Sequence, residues 1–108
     1  MPTVLLVEDE ADQLQMRKLI FEHSGYEVRA AQSAAEALAW APGADVIVMD
    51  LRIPRLEDGL GLINSLRGAI HIIVLTGDER PRNLDVDLQL QKPCSSRVLL
   101  DAVARLAK

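Results

Sequence analysis

VIVMD, residues Val46 to Asp50, is an apolar, β-branched run that stops on a carboxylate, after which the chain turns through Leu51, Arg52, Ile53 and Pro54. A short continuous apolar run bounded in this way reads as a strand buried on both faces. A buried strand that ends on an acid places that acid at the rim of a sheet, where open α/β folds keep their chemistry. Asp50 is therefore the residue that the rest of the sequence has to explain.

Working outward, Thr3 to Val7 (TVLLV) is a second buried strand, with Glu8, Asp9 and Glu10 at its exit. Met16, Leu19, Ile20 and His23 fall at i, i+3, i+4 and i+7, the spacing of an amphipathic helix that Ser24 and Gly25 close. Tyr26 to Ala30 is a weaker strand. Ser33 and Glu36 form a capping box opening a short Ala-rich helix that Pro42 and Gly43 end. The strand Asp45 to Met49 leads into Asp50, and a helix beginning near Asp58 and Gly59 carries Leu62, Ile63 and Leu66 to a stop at Gly68. Ile70 to Leu75 and Leu88 to Gln91 are two more strands, ending at Thr76-Gly77 and Lys92-Pro93. A last helix from Ser95 or Ser96 buries Leu99, Ala102, Val103 and Leu106. Strands alternating with helices at these lengths predict an α/β fold: one parallel sheet with right-handed crossovers and helices on both faces.

The chain has 108 residues, enough for one domain, residues 1–108, and too few for two with separate cores. Hydrophobic residues make up 49% and aromatics only 3%, so the core has to be built from Leu, Val, Ile and Ala. The net charge of −4 and scattered Arg and Lys residues give no basic face, which argues against direct nucleic-acid binding. A lone Cys94, no signal-like leader and no apolar run of membrane-spanning length give the expectation of a soluble cytoplasmic protein without membrane association. Neither a phosphate-binding glycine loop nor a G-x-G-x-x-G follows the first strand, so nucleotide binding lacks its usual motif.

In a parallel sheet all strand C-termini share one edge, which brings Glu8, Asp9, Asp50, Thr76 and Lys92 together from distant parts of the sequence. Three crowded carboxylates repel, and a hard divalent cation relieves that repulsion; Mg²⁺ favours carboxylates, a carbonyl and retained waters. A carboxylate is also a nucleophile toward phosphorus when a cation and an ammonium neutralise the incoming oxygens, and Lys92 and Thr76 supply an ammonium and a hydroxyl.

The whole set, running from VLLVEDE through VIVMDLRIP and IIVLTG to QKP, closely resembles the receiver domains of two-component response regulators. The resemblance spans essentially the whole chain. It implies the flavodoxin-like, doubly wound five-stranded parallel sheet of strand order 2-1-3-4-5. It also implies that Asp50 accepts a phosphoryl group from a histidine kinase or a histidine phosphotransfer protein. Asp9 would bind Mg²⁺ directly, Glu8 would act through water or orient the site, and Asp50 and the backbone carbonyl of Arg52 would complete the metal set. Thr76 would bond the phosphoryl oxygen, Lys92 would pair with it, and the Lys92-Pro93 bond would be cis. Such a protein is not an enzyme in the ordinary sense, slow self-dephosphorylation being its most enzymatic behaviour.

Several positions depart from the family pattern. Only sixteen positions separate Thr76 from Lys92, several fewer than a receiver needs for a full fourth helix. That helix is expected to be shortened or replaced by a loop, with Asp78 to Asp87 mobile. Gln89 stands where an aromatic switch residue is usual, which weakens the case for the standard coupling and dimer surface. Gly59 lies one position late, implying a longer loop after the third strand. The lost helix is similar to that of single-domain receivers of the FATGUY type, although Val74 and Leu75 replace the aromatics that help define that group. Arg52 either shields the phosphoryl pocket or is simply solvated. Trp40 is expected to cover core, His23 and His71 to have no ligand role, and Cys94 to pack.

The leading reading is a phosphorylatable module without an output domain of its own. The alternative is a pseudo-receiver, an interaction scaffold that never turns over phosphate, and the intact acid pair, Asp50, Thr76 and Lys92 argue against it. A small metal-dependent phosphatase would need a second acid two positions after Asp50, where Arg52 stands.

Overall fold

The computed structural model describes residues 1–78 and 82–107. Five strands, β1 (Thr3–Val7), β2 (Glu27–Ala31), β3 (Val46–Asp50), β4 (His71–Thr76) and β5 (Leu88–Gln91), form one sheet in the order β2-β1-β3-β4-β5. Every neighbouring pair is parallel, so the expected flavodoxin-like order is observed. Between their polar end residues the three central strands are apolar, because both of their faces are covered.

Helices α1 (Ala11–His23) and α4 (Ser96–Leu106) cover one face, packing Leu14, Phe21, Leu99, Ala102 and Val103 on Val4, Leu6, Val46, Val48, Ile73 and Leu75. Helices α2 (Ala34–Trp40) and α3 (Leu56–Leu66) cover the other, where Ala37, Leu62, Ile63 and Leu66 meet Leu5, Ile47, Met49 and Ile72. The alternation of side chains along each strand divides these two cores. Among the described residues no helix lies between β4 and β5. Leu84 and Val86 instead pack onto the second core from an irregular segment. Two apolar side chains do the covering that a helix does elsewhere, which is why a short connection suffices. Residues 79–81, part of the segment expected to be mobile, lie outside the described residues.

Four local readings are corrected. In α1 the inward stripe is Leu14, Arg17 and Phe21, while Met16 and Leu19 are 64% and 51% exposed. Apolar spacing alone pointed to the wrong side because the true stripe contains an arginine. Helix α3 starts at Leu56, two residues before the expected Asp58, because Asp58 reaches back as an acceptor for the Arg55 amide at 3.2 Å. Asp58 thus acts from inside the first turn. Trp40 is 52% exposed rather than covering core; α2 ends there, where Arg29 Nη1 donates to the Trp40 and Pro42 carbonyls at 2.7 and 2.5 Å. At the start of α2, Ser33 accepts from the Glu36 amide at 3.1 Å as expected, but Glu36 accepts from the Gln32 amide rather than from that of Ser33.

None of the described helices is long and apolar enough to cross a membrane.

Candidate functional site

Parallel pairing sets the site. The register places Asp50 beside Leu75 and Thr76 beside Gln91, so the ends of β3, β4 and β5 step along one edge together with the exit of β1. Glu8, Asp9 and Asp50 each present a carboxylate oxygen within 4.8 Å of the others. Glu8 and Asp50 are buried, at 4% and 3% exposure, while Asp9 is exposed. Residues at positions 8, 9 and 50 meet because a strand exit is a fixed place in the fold.

Lys92 Nζ lies 2.7 Å from Asp50 Oδ1, without good hydrogen-bond alignment, and the contact is an ion pair. Burial pushes the Asp50 carboxyl above the usual carboxylate range, and the nearby Lys92 opposes that rise. Lys92 is held by its own backbone, whose amide donates to the Thr76 carbonyl at 2.7 Å. The Lys92-Pro93 bond is cis, as the resemblance implied, and so is Ile53-Pro54. Asp50, Arg52, Thr76 and Lys92 line a small cleft of about 60 Å³. A larger hollow of about 450 Å³ lies at the opposite edge of the sheet, against Asp45, His71 and Asp87, and contains none of these residues.

The donor set fits Mg²⁺. All three side chains offer hard oxygens, and buried Glu8 Oε2 accepts no hydrogen bond from the described residues. A buried carboxylate oxygen without a donor is costly unless a cation takes it. Such an ion, when bound, would neutralise carboxylate and phosphoryl charge, with Glu8, Asp9, Asp50 and the Arg52 carbonyl as the residues to hold it.

Thr76 is buried at the end of β4, and its Oγ1 accepts from the Asp78 amide at 3.0 Å. The Arg52 side chain is not free in solvent: Nη2 lies 3.2 Å from Asp78 Oδ1. Asp78 Oδ2 also receives Arg82 Nε at 2.8 Å. The two arginines hold the Asp78 carboxyl below the ordinary carboxylate range. Gln89, in the place of the missing aromatic, clamps Arg82 by its backbone: Gln89 Nε2 donates to the Arg82 carbonyl at 2.6 Å, and Oε1 accepts from its amide at 3.1 Å. A chain of contacts thus runs from Thr76 through Asp78 and Arg82 to Gln89.

Three residues at the site were not singled out from sequence. Asp78 and Arg82 sit in the segment where no periodicity guides a reading. Arg17, whose Nη1 is 3.6 Å from Glu8 Oε2, lies on α1 three residues after Leu14 and four before Phe21. An arginine centred between two apolar residues at helical spacing, eight residues after an acid pair, was the available signal. Cys94 packs at the edge of the α1 and α4 core, and burial pushes its thiol up. That favours packing over thiolate chemistry.

The family model for the response regulator receiver domain matches residues 4–104. The Transcriptional regulatory protein PrrA of Mycobacterium tuberculosis is 35% identical over 97% of this chain and 48% of its own length. The Tetrathionate response regulatory protein TtrR of Salmonella typhimurium is 32% identical over 97% of this chain and 56% of its own length. The chain thus spans about half the length of these curated relatives. Among solved structures, the receiver domain of the Francisella response regulator 1452 superposes with a TM-score of 0.89 at 30% identity, covering 99% of this chain and 97% of that one. The chemotaxis response regulator CheY4 of Vibrio cholerae gives a TM-score of 0.84 at 29% identity, covering 98% of both chains. With an acid cluster, a buried strand-end aspartate and its lysine partner placed as this fold places them, the chain belongs to the response regulator receiver domain family.

Proposed function

We propose that this domain is a phosphoacceptor of a two-component or phosphorelay system, acting in the cytoplasm. It takes a phosphoryl group from a histidine kinase or a histidine phosphotransfer protein. An Asp50 carboxylate oxygen attacks the phosphorus of a phosphohistidine protonated on its other ring nitrogen; the new P–O bond forms as the P–N bond breaks, and the imidazole leaves as a neutral ring that keeps that proton. Lys92 pairs with the incoming oxygens, and Thr76 exchanges its bond from the Asp78 amide for a hydrogen bond donated to the phosphoryl group. Buried surroundings strengthen each of these interactions relative to water.

The observation that carries the reading is the environment of Asp50: nearly fully buried, 2.7 Å from an ammonium and within 4.8 Å of two further carboxylates. A buried acid placed this way is expensive to keep for structure alone. Return to the unphosphorylated state is by slow attack of water, so the domain acts as a switch rather than as a turnover catalyst.

The test is addition of beryllofluoride or acetyl phosphate with Mg²⁺ to ¹⁵N-labelled protein. The amides of Asp50, Thr76 and Lys92 are expected to shift, and Asp50→Asn to abolish the shifts. No shift in the parent protein defeats the reading. Partner binding that is equal in Asp50→Asn and without Mg²⁺ would instead favour the pseudo-receiver.

A further inference from the structure

Two carboxylates of the acid cluster are buried, and each faces one cation. Asp50 faces Lys92 at 2.7 Å, and Glu8 faces Arg17 at 3.6 Å. The Arg17 side chain is only 18% exposed. It reaches inward between Leu14 and Phe21 on α1 and borders a hollow shared with Gln13, Lys92, Pro93 and Cys94. Burial lowers its pKa from the ordinary arginine value, which is the mark of a guanidinium taken out of water at a cost.

Packing does not account for an arginine there, because a leucine or methionine would fill the same stripe without that penalty. The carboxylate opposite does account for it. Glu8 Oε2 accepts no hydrogen bond from the described residues, and Arg17 is the cation it faces. At 3.6 Å the guanidinium is near enough to attract the charge of Glu8, yet it leaves that oxygen's coordination position open.

We propose that Arg17 is a positioning residue for Glu8, an internal counter-cation that offsets the buried charge of Glu8 when no metal is bound and opposes the entry of Mg²⁺. This rests on the reading of Glu8, Asp9 and Asp50 as a Mg²⁺ site. The physical basis is simple: a fixed positive charge one side chain away repels a divalent ion and also offsets part of the carboxylate charge that would draw the ion in. The domain then gives up some metal affinity for a stable metal-free state.

The test is Mg²⁺ binding by calorimetry and by amide shifts at Asp9 and Asp50, with melting temperatures measured with and without saturating Mg²⁺. The proteins are the parent, Arg17→Met and Arg17→Lys. Arg17→Met is expected to bind Mg²⁺ about three- to tenfold more tightly, a range set by a single unit charge at partly screened separation. It should melt lower than the parent without Mg²⁺ and gain more from its addition. Arg17→Lys, which keeps the charge, should stay within about twofold of the parent. A purely structural Arg17 would lower both melting temperatures equally and leave the affinity alone, and that result overturns the proposal, as does weaker binding in Arg17→Met. Should Arg17→Met not fold, Arg17→Gln is judged by the same affinity criterion. A parent that shows no Mg²⁺ response defeats the site reading and the proposal with it; a parent that binds while its neutral variants match it defeats only the role of Arg17.

Discussion

Replacing Gly59 by alanine separates two arguments that point in opposite directions. Gly59 is the fourth residue of α3, and by helix propensity alone alanine there would stabilise the domain by up to about 1 kcal/mol. The structure reverses the sign. A Cβ on Gly59 would stand 1.7 Å from the Leu51 carbonyl oxygen, 2.6 Å from its carbon and 3.2 Å from its Cα. Ordinary contact needs roughly 3.5 Å, so the two backbones must separate by nearly 2 Å. Neither side of that contact is a flexible side chain. Overpacking costs about 1–3 kcal/mol when side chains relax, and more when they cannot; here the net loss is expected to be ~3 kcal/mol or more.

That loss corresponds to a fall in melting temperature on the order of 10–20 °C for a domain of this size. It also has a functional side. Leu51 joins Asp50 to Arg52, so the same displacement shifts the Arg52 carbonyl proposed as a metal ligand, and Mg²⁺ binding should weaken even where the variant remains folded. Thermal unfolding by circular dichroism and Mg²⁺ titration at low temperature read the two effects. A Gly59→Ala protein that melts at or above the parent temperature would show that the entry to α3 has slack and would refute the reasoning.

Two further outcomes follow from named contacts. Because burial raises the Asp50 pKa, the native state holds that proton more tightly than the unfolded chain; stability is therefore lost as pH rises from the ordinary carboxylate range through the raised value. Asp50→Asn removes this dependence, so it is expected to melt higher than the parent at neutral pH, with the gain shrinking toward acid; a constant difference across the titration would contradict the linkage. Gln89→Ala breaks both bonds to the Arg82 backbone and is expected to cost about 1–2 kcal/mol. Its amide exchange should quicken at Leu84 and Val86 while that of β1 stays unchanged; unchanged exchange in the 82–87 segment would show that the clamp holds nothing.

How far the molecule can be read from its sequence depends on whether a contact is repeated along the chain or made once. The sheet is repeated: apolar runs, turn residues and the parallel crossover rule together specify a parallel α/β sheet whose strand ends bring Glu8, Asp9, Asp50, Thr76 and Lys92 to one edge, while the order of its strands is legible only through the resemblance to receiver domains. α1 fails the same treatment because its buried side includes Arg17, whose reason for being there is Glu8 across space and not a period. The segment after Thr76 fails more completely. Asp78, Arg82 and Gln89 have no pattern in common, and only their hydrogen bonds reveal that they form one unit.

That division falls along a line of function. The proposed acceptor chemistry depends on the edge of the sheet, where a parallel fold gathers the strand ends whatever their distance in sequence. The route by which a change at Asp50 leaves the pocket depends on contacts made once, and these are polar here where an aromatic ring is usual. A hydrogen-bonded clamp exchanges partners without having to move a large side chain through packed core. Signal transmission through Gln89 is therefore expected to be a release of the 82–87 segment, with Leu84 and Val86 leaving the sheet face they cover, in place of an aromatic ring turning inward.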